Sequence, residues 1–194
     1  MKKNLLLLIS FTLPLFFIVN AQQLEMVKDI NPGGLNSYPN NLTVASGKMF
    51  FLAADNSGYQ KLWVTQGTEA TTILLVDQIL MQTQKLYAYK GKIYFDCYTP
   101  ADGQELWVSD GTVAGTHIFM NIYPGTNGSY PSAFTVANNK LFFMANDPAG
   151  ERRLYSTDGT VAGTIFLKAY VGLWNGFSNF AVLNNDIYFT SDGG

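Results

Sequence analysis

The residues of this sequence that could do chemistry are few, and the most regular of them are aspartates in short glycine-rich turns. Asp110 and Asp158 lie in two nearly identical segments, 109–116 and 157–164, which read SDGTVAGT and TDGTVAGT. An aspartate followed by glycine and threonine is typical of a tight turn in which the carboxylate accepts backbone N–H groups. We therefore predict structural turns whose defining residues are Asp110, Gly111, Thr112, Asp158, Gly159 and Thr160.

Calcium binding is the functional alternative for the same turns. A calcium loop of the EF-hand type needs several oxygen ligands at alternating positions. Each of these turns offers one carboxylate, and a third, diverged copy has Gln66 in place of the aspartate. We therefore expect no cofactor, with calcium as an unsupported alternative.

Nucleophilic and histidine-based metal sites are disfavoured by the counts. Cys97 is the only cysteine and His117 the only histidine, so neither a Ser-His-Asp set with a clear orienting partner nor a histidine metal site can be assembled. Cys97 occupies a repeat position where other copies have Ala53 and Ala145, which predicts a small buried slot and a packed thiol. Paired carboxylates, as in glycosidases, stay open.

Three further aspartates lie in loops close to a glycine: Asp55, Asp102 and Asp147. Such side chains could hold a cation or a sugar hydroxyl, but they are also ordinary turn residues. We interpret them as turn residues.

The elements that must position these residues form a tandem repeat. Leu62-Trp63, Leu106-Trp107 and Leu154-Tyr155 each precede one of the turns, and an aromatic pair precedes each of them. The second aromatics of these pairs and of a fourth pair are residues 51, 95, 143 and 189, which gives steps of 44, 48 and 46. A period of this length, with four short strands and tight turns in each copy, indicates a β-propeller blade.

The predicted fold is therefore all-β and propeller-like, with four-stranded antiparallel blades; a β-sandwich is the alternative. About three and a half blades are present, and a closed ring typically needs four to eight. We thus expect a fragment of a longer product, whose missing blades belong to the same full-length chain. The predicted segments are an outer strand at 24–30, units at 42–79, 86–122 and 134–170, and a partial unit at 180–194.

Variation in length points to one face of these units. All of it falls between the last strand of one unit and the first strand of the next, and binding residues favour variable loops on a rigid scaffold. Within these loops Trp174 is the strongest candidate for stacking on a ligand, together with its neighbour Phe177, and Tyr38 and Tyr130 occupy equivalent positions before a proline. Covering one end of the core is the structural alternative for all four.

The first 21 residues predict export. Lys2 and Lys3 precede an apolar run, and Val19-Asn20-Ala21 supplies a small-residue cleavage site, as in a secretory signal peptide. We expect a secreted or cell-surface protein with no membrane span after cleavage. The net charge is -2, with no basic cluster, so we expect no nucleic-acid partner.

The segment 104–116, QELWVSDGTVAGT, resembles the ELWxxDGT repeat family, and weaker copies begin at Lys61 and Arg153. The resemblance covers residues 24–194. Members are large secreted or cell-surface proteins of Bacteroidota-type bacteria, sometimes labelled hyalin-like, and often end in a sorting domain for type IX secretion. The family has no established catalytic residues, so the resemblance implies location and architecture more than an activity.

We expect an exported, non-enzymatic module that binds an extracellular glycan or protein at a surface, as in adhesion. A fragment of a propeller polysaccharide hydrolase or lyase is one alternative, because carboxylates in a missing part could supply the chemistry. A structural spacer without a ligand is the other.

Overall fold

A computed structural model describes residues 25–77, 85–170 and 177–191 of the chain. These residues form strands joined by turns and loops, and no helix occurs among them. The strands are β1 (Asn40–Ala45), β2 (Lys48–Ala54), β3 (Gln60–Thr65), β4 (Ile73–Val76), β5 (Tyr87–Tyr89), β6 (Lys92–Thr99), β7 (Gly103–Ser109), β8 (His117–Met120), β9 (Ser132–Ala137), β10 (Lys140–Asn146), β11 (Arg152–Thr157), β12 (Ile165–Tyr170), β13 (Phe177–Leu183) and β14 (Asp186–Ser191).

The strands pair in sequence order into small antiparallel sheets. β1–β4 form unit 1, β5–β8 form unit 2 and β9–β12 form unit 3, each a four-stranded sheet. β13 and β14 pair as a two-stranded sheet, here called unit 4. The predicted all-β class and the predicted repetition of four-stranded antiparallel units are confirmed.

The turn between the first two strands of each unit is tight because its residues adopt positive φ. Ser46 and Gly47 have φ of 47° and 70°, and Asn138 and Asn139 have φ of 47° and 55°. Glycine and asparagine tolerate this region, and it suits the twist of a two-residue hairpin. These turns are among the tight turns that the sequence predicts in each copy.

The aromatic residues that define the repeat face each other across the second and third strands. Phe51 pairs with Trp63, Phe95 with Trp107, and Phe143 with Tyr155. In each unit the pairing of the third and fourth strands shifts register next to the Trp or Tyr of the third strand. The constant spacing between these two aromatic positions in the sequence therefore corresponds to the same cross-strand pair in all three units.

Successive units pack face to face and share their cores. Leu62, Val64 and Leu75 of unit 1 form one cluster with Phe95 and Trp107 of unit 2. A second cluster joins units 2 and 3 in the same way and includes Tyr94, Leu106, Val108, Phe119, Leu141, Phe143 and Tyr155. Because the sheets of units 1, 2 and 3 each contribute buried side chains to clusters on both faces, one of these units cannot complete its core alone.

The first strands of successive units are neighbours: β1 lies beside β5, β5 beside β9, and β9 beside β13. Thr43 Oγ1 donates to the carbonyl of Leu86 across one of these boundaries, at 3.2 Å. The rings of Tyr87 and Phe134 are 4.6 Å apart across the next. The fourth strands are thus the outer strands of their sheets.

The predicted outer strand at 24–30 is wrong for the part that the structure describes. Residues 25–30 contain bends and irregular backbone and no strand. A strand requires a neighbouring strand to satisfy its ladder, and none of the sheets among the described residues includes this segment. The segment is attached through side chains instead, since Lys28 Nζ donates to the carbonyl of Thr72 at 3.0 Å. Ile30 packs instead on the apolar cluster of Phe51, Ala53 and Trp63.

Candidate functional site

The Asp-Gly-Thr turns are closed by a compact network of hydrogen bonds. Asp110 Oδ1 accepts from the backbone N–H of Thr112 at 2.8 Å and from its hydroxyl at 2.7 Å. Thr112 Oγ1 in turn accepts from the backbone N–H of Gly115 at 2.9 Å. The Thr112 hydroxyl bond lowers the pKa of Asp110, so this carboxylate stays ionised. The turn at Asp158 has the same bonds to Thr160 and Gly163.

The diverged turn of unit 1 reaches the same closure with different atoms. Gln66 replaces the aspartate, and Thr71 replaces the glycine at the position of Gly115. Thr71 Oγ1 accepts from the backbone N–H of Thr68 at 3.2 Å, as the Asp110 carboxylate does for Thr112. A hydroxyl thus replaces the carboxylate as the acceptor that closes the turn.

These turns also contact the preceding unit. Lys48 Nζ, next to the first hairpin turn of unit 1, donates to the carbonyl of Asp110 in unit 2 at 2.9 Å. Lys90 Nζ of unit 2 makes the same bond to Asp158 of unit 3. Position 111 suits glycine for two reasons: its φ is 84°, and a Cβ there would lie only 2.6 Å from Lys48 Cδ. The turns therefore join neighbouring units. They lie on the side of the molecule opposite the loops that connect one unit to the next.

The long loop between units 2 and 3 is fastened by unit 2. The backbone N–H groups of Ser129 and Tyr130 both donate to the carbonyl of Gln104, at 2.9 and 3.1 Å. Ser129 also donates its hydroxyl to the Glu105 carboxylate at 2.6 Å, and the carbonyl of Ser129 accepts from Asn146 of unit 3 at 2.7 Å. The loop is therefore fixed to both sheets.

Glu105 is the centre of this attachment. It is fully buried, and its two carboxylate oxygens accept from the backbone N–H groups of Ile122 and Tyr123 at 3.0 Å each. Burial raises the pKa of Glu105, and the hydrogen bonds from Ser129, Ile122 and Tyr123 offset part of this rise. Its place just before Leu106-Trp107 makes it a scaffold residue that orients the loop.

Tyr38 and Tyr130, which the sequence predicted as ligand-binding residues, are held in a strained backbone conformation. Their φ angles are 46° and 51°, in the left-handed region that aromatic residues seldom adopt. Both side chains are largely exposed, at 59% and 49%. Strain retained at an exposed aromatic is a feature of binding sites, where the scaffold fixes a side chain in place.

Tyr130 borders a cleft of about 240 Å³ between units 2 and 3. The remaining walls come from the first strands and from the polar residues beside them. The lining residues are Lys85, Tyr87, Asp96, Gln104, Tyr130, Pro131, Ser132, Ala133, Phe134 and Arg152. The cleft combines two tyrosines with two cations, one carboxylate and one amide, a set able to stack on a ring and hydrogen-bond its substituents.

Arg152 holds the wall of this cleft at unit 3. Its Nη1 donates to the carbonyl of Tyr130 at 2.8 Å and to Asn146 Oδ1 at 3.2 Å, and its Nη2 donates to Ser132 Oγ. Burial lowers the pKa of the guanidinium. Across the cleft, Gln104 Nε2 donates to Asp96, a carboxylate only 8% exposed.

The structure brings together only part of the predicted site. Trp174 lies outside the described residues, and Phe177 is the first residue of β13. The sequence did not single out Arg152, Asp96, Gln104 or Lys85. One feature of the repeat could have pointed to Arg152: it is a cation at a position where the other complete units have the neutral residues Gln60 and Gln104.

Two of the three loop aspartates form ion pairs. Asp55 binds Lys61 Nζ at 2.7 Å, and this hydrogen bond is the main reason that the pKa of Asp55 falls to about 2. Asp147 pairs with Arg153 and accepts the backbone N–H groups of Ala149 and Glu151. Asp102 accepts from Thr99 and Asn121. All three act as turn or loop residues in these contacts.

The aromatics of the third strands are buried and act as packing residues: Trp63 and Trp107 are 8% exposed and Tyr155 is 7% exposed. Cys97 is 1% exposed, and burial raises the pKa of its thiol to about 12, which confirms a packed thiol. His117 begins β8 and is exposed.

Among the residues that the structure describes, no group of three or more His, Cys, Asp and Glu side chains could hold a metal ion. The same residues include no helix of the length and apolarity needed to span a bilayer.

No protein-family model matches the sequence, and no curated protein is significantly similar to it.

Proposed function

We propose that this chain is an exported, non-enzymatic binding module that forms an arc of a β-propeller and holds an extracellular glycan in the cleft at Tyr130. Export rests on the signal-peptide pattern of residues 1–21, and the resemblance to ELWxxDGT repeats supports a place at the cell surface. The arc is supported by face-to-face packing of the units, with their first strands side by side.

The observation that carries the glycan proposal is the composition of the cleft. An exposed tyrosine offers a flat apolar surface to the C–H face of a sugar ring. Asp96, Gln104 and Arg152 supply planar polar groups within the same cleft, which suits pairs of hydroxyls. Folded proteins present such groups to small polar ligands in largely preformed pockets.

The test is glycan binding by a variant that lacks the Tyr130 ring. Tyr130→Gly keeps the left-handed φ of 51° without strain, so the loop is expected to remain folded. We expect this variant to lose about 5-fold or more in affinity for the glycans that bind the wild type on an array, because stacking on an aromatic ring contributes roughly 1 kcal/mol or more.

Tyr188→Ala is the matched control, because Tyr188 is an equally exposed tyrosine (54%) on unit 4. Its binding is expected to equal that of the wild type. A wild-type protein that binds no glycan on the array would contradict the proposal, as would full binding by the Tyr130→Gly variant.

A further inference from the structure

We infer that the cleft at Tyr130 takes an acidic sugar, and that the guanidinium of Arg152 binds the carboxylate of that sugar. This inference rests on the proposed function and names the ligand class. It is carried by the partners of Arg152, by the residue that does the same structural task in unit 1, and by the balance of charges in the cleft.

Arg152 makes its hydrogen bonds to neutral oxygens. They are the carbonyl of Tyr130, Asn146 Oδ1 and Ser132 Oγ. Its neighbour Arg153 instead pairs with Asp147 and Glu151, and the ion pairs of the described residues include none made by Arg152. A half-buried guanidinium with only neutral partners is poorly compensated, and a carboxylate is the group whose geometry matches it best.

Unit 1 shows that the fold does not need this charge. Gln60 is the repeat equivalent of Arg152, and Tyr38 is the equivalent of Tyr130. Gln60 Nε2 donates to the carbonyl of Tyr38 at 3.5 Å, and Asn40 Nδ2 donates to the same carbonyl at 2.9 Å. Neutral amides therefore hold the first tyrosine loop in the same strained conformation. Holding the tyrosine loop therefore does not require a positive charge at position 152.

The charges of the cleft favour an anion on the Arg152 side. Lys85 and Arg152 supply two cations, and Asp96 supplies one carboxylate, so the lining has a net charge of +1. The carboxylate of Asp96 is held by Gln104 of unit 2, whereas Arg152 stands on unit 3 beside the Tyr130 loop. A uronate ring stacked on Tyr130 would present its carboxylate to Arg152 and its hydroxyls to Asp96 and Gln104.

The experiment compares one variant on two probes, trigalacturonate and its methyl ester, by calorimetry at low and high salt. We expect the wild type to bind the acid about 10- to 100-fold more tightly than the ester, with the preference falling as salt rises. Arg152→Gln is expected to remove the preference, because the variant carries the residue that unit 1 already uses. Lys92→Gln, which removes an exposed lysine on the opposite side of the molecule, is expected to retain it.

Equal binding of acid and ester by the wild type would overturn the inference and leave the proposed function standing. A preference that survives in Arg152→Gln would also overturn it, because the carboxylate would then be recognised elsewhere. Absence of binding by both probes, with other glycans bound on the array, would overturn it too. Absence of all glycan binding would instead defeat the proposed function itself.

Discussion

The residue before the Leu-Trp or Leu-Tyr pair links the third strand of its unit to a loop in all three complete units, although its side chain differs in charge from one unit to the next. The residue before each Leu-Trp or Leu-Tyr pair is Lys61, Glu105 or Arg153. Lys61 is 7% exposed and binds Asp55 and Asp77, while Arg153 binds Asp147 and Glu151. Burial disfavours the charge of Lys61, but its hydrogen bonds to the two aspartates outweigh this and raise its pKa. Each ion thus ties the third strand to a loop.

Glu105→Gln tests this role in unit 2. The carboxylate accepts three hydrogen bonds, and an amide would place an N–H against at least one of the donors Ile122, Tyr123 and Ser129. We expect a loss of about 1–3 kcal/mol in the free energy of unfolding, measured by urea denaturation. Glu25→Gln, at an exposed residue, is the control and is expected to unfold at the wild-type midpoint. A Glu105→Gln variant as stable as the wild type would show that Glu105 does not fasten the loop.

The turn between the third and fourth strands is the element whose sequence pattern the structure explains most fully. A Cβ at Gly115 would overlap the Asp110 carboxylate, so glycine is required wherever the aspartate is present. In unit 1 the aspartate is absent, and Thr71 fills the vacated space with a hydroxyl that accepts the same N–H. The two positions therefore act as a pair.

A double-mutant cycle tests the pair. Asp110→Gln alone is expected to cost roughly 1 kcal/mol, because the N–H and hydroxyl of Thr112 lose their acceptor. Gly115→Thr alone is expected to be destabilising because of its overlap with Asp110. The double variant is expected to be more stable than the sum predicts, by about 1 kcal/mol or more in thermal or urea unfolding. Additive effects would show that the unit 1 solution cannot be transferred.

At this scale the sequence predicted well. The short strands, the tight turns and the buried slot of Cys97 were predicted from the spacing within the repeat, whereas the pairing of the aromatic residues across strands is seen only in the structure. The strand predicted at 24–30 is absent from residues 25–30, because none of the sheets among the described residues offers this segment a strand to pair with. Arg152 was missed because its contact with Tyr130 crosses 22 residues and depends on how the loop lies against the strand.

Across the whole molecule, stability is shared between neighbouring units. Leu141 of unit 3 is fully buried in a cluster that includes Tyr94, Leu106 and Val108 of unit 2. No disulfide can form within the chain, since Cys97 is its only cysteine. The units therefore depend on one another for their hydrophobic cores.

Leu141→Ala is expected to weaken unit 2 as well as unit 3. The cavity costs about 2–5 kcal/mol, and the lost contacts belong to both sheets. Hydrogen exchange should show reduced amide protection in β6 and β7 as well as in β10 and β11. Leu35→Ala, at a side chain 71% exposed, serves as the control and is expected to leave protection unchanged. Reduced protection confined to β9–β12 would mean that the units fold independently.

The paired turn residues also bear on how such a chain diverges after duplication. Aspartate with glycine and glutamine with threonine are both complete solutions, but the intermediate with aspartate and threonine suffers a steric clash, and the intermediate with glutamine and glycine lacks an acceptor. A copy that drifts one substitution at a time must therefore cross a less stable intermediate. Both stable combinations occur in this one polypeptide. The turn at 65–72 is therefore an alternative form of the motif that keeps its structural function.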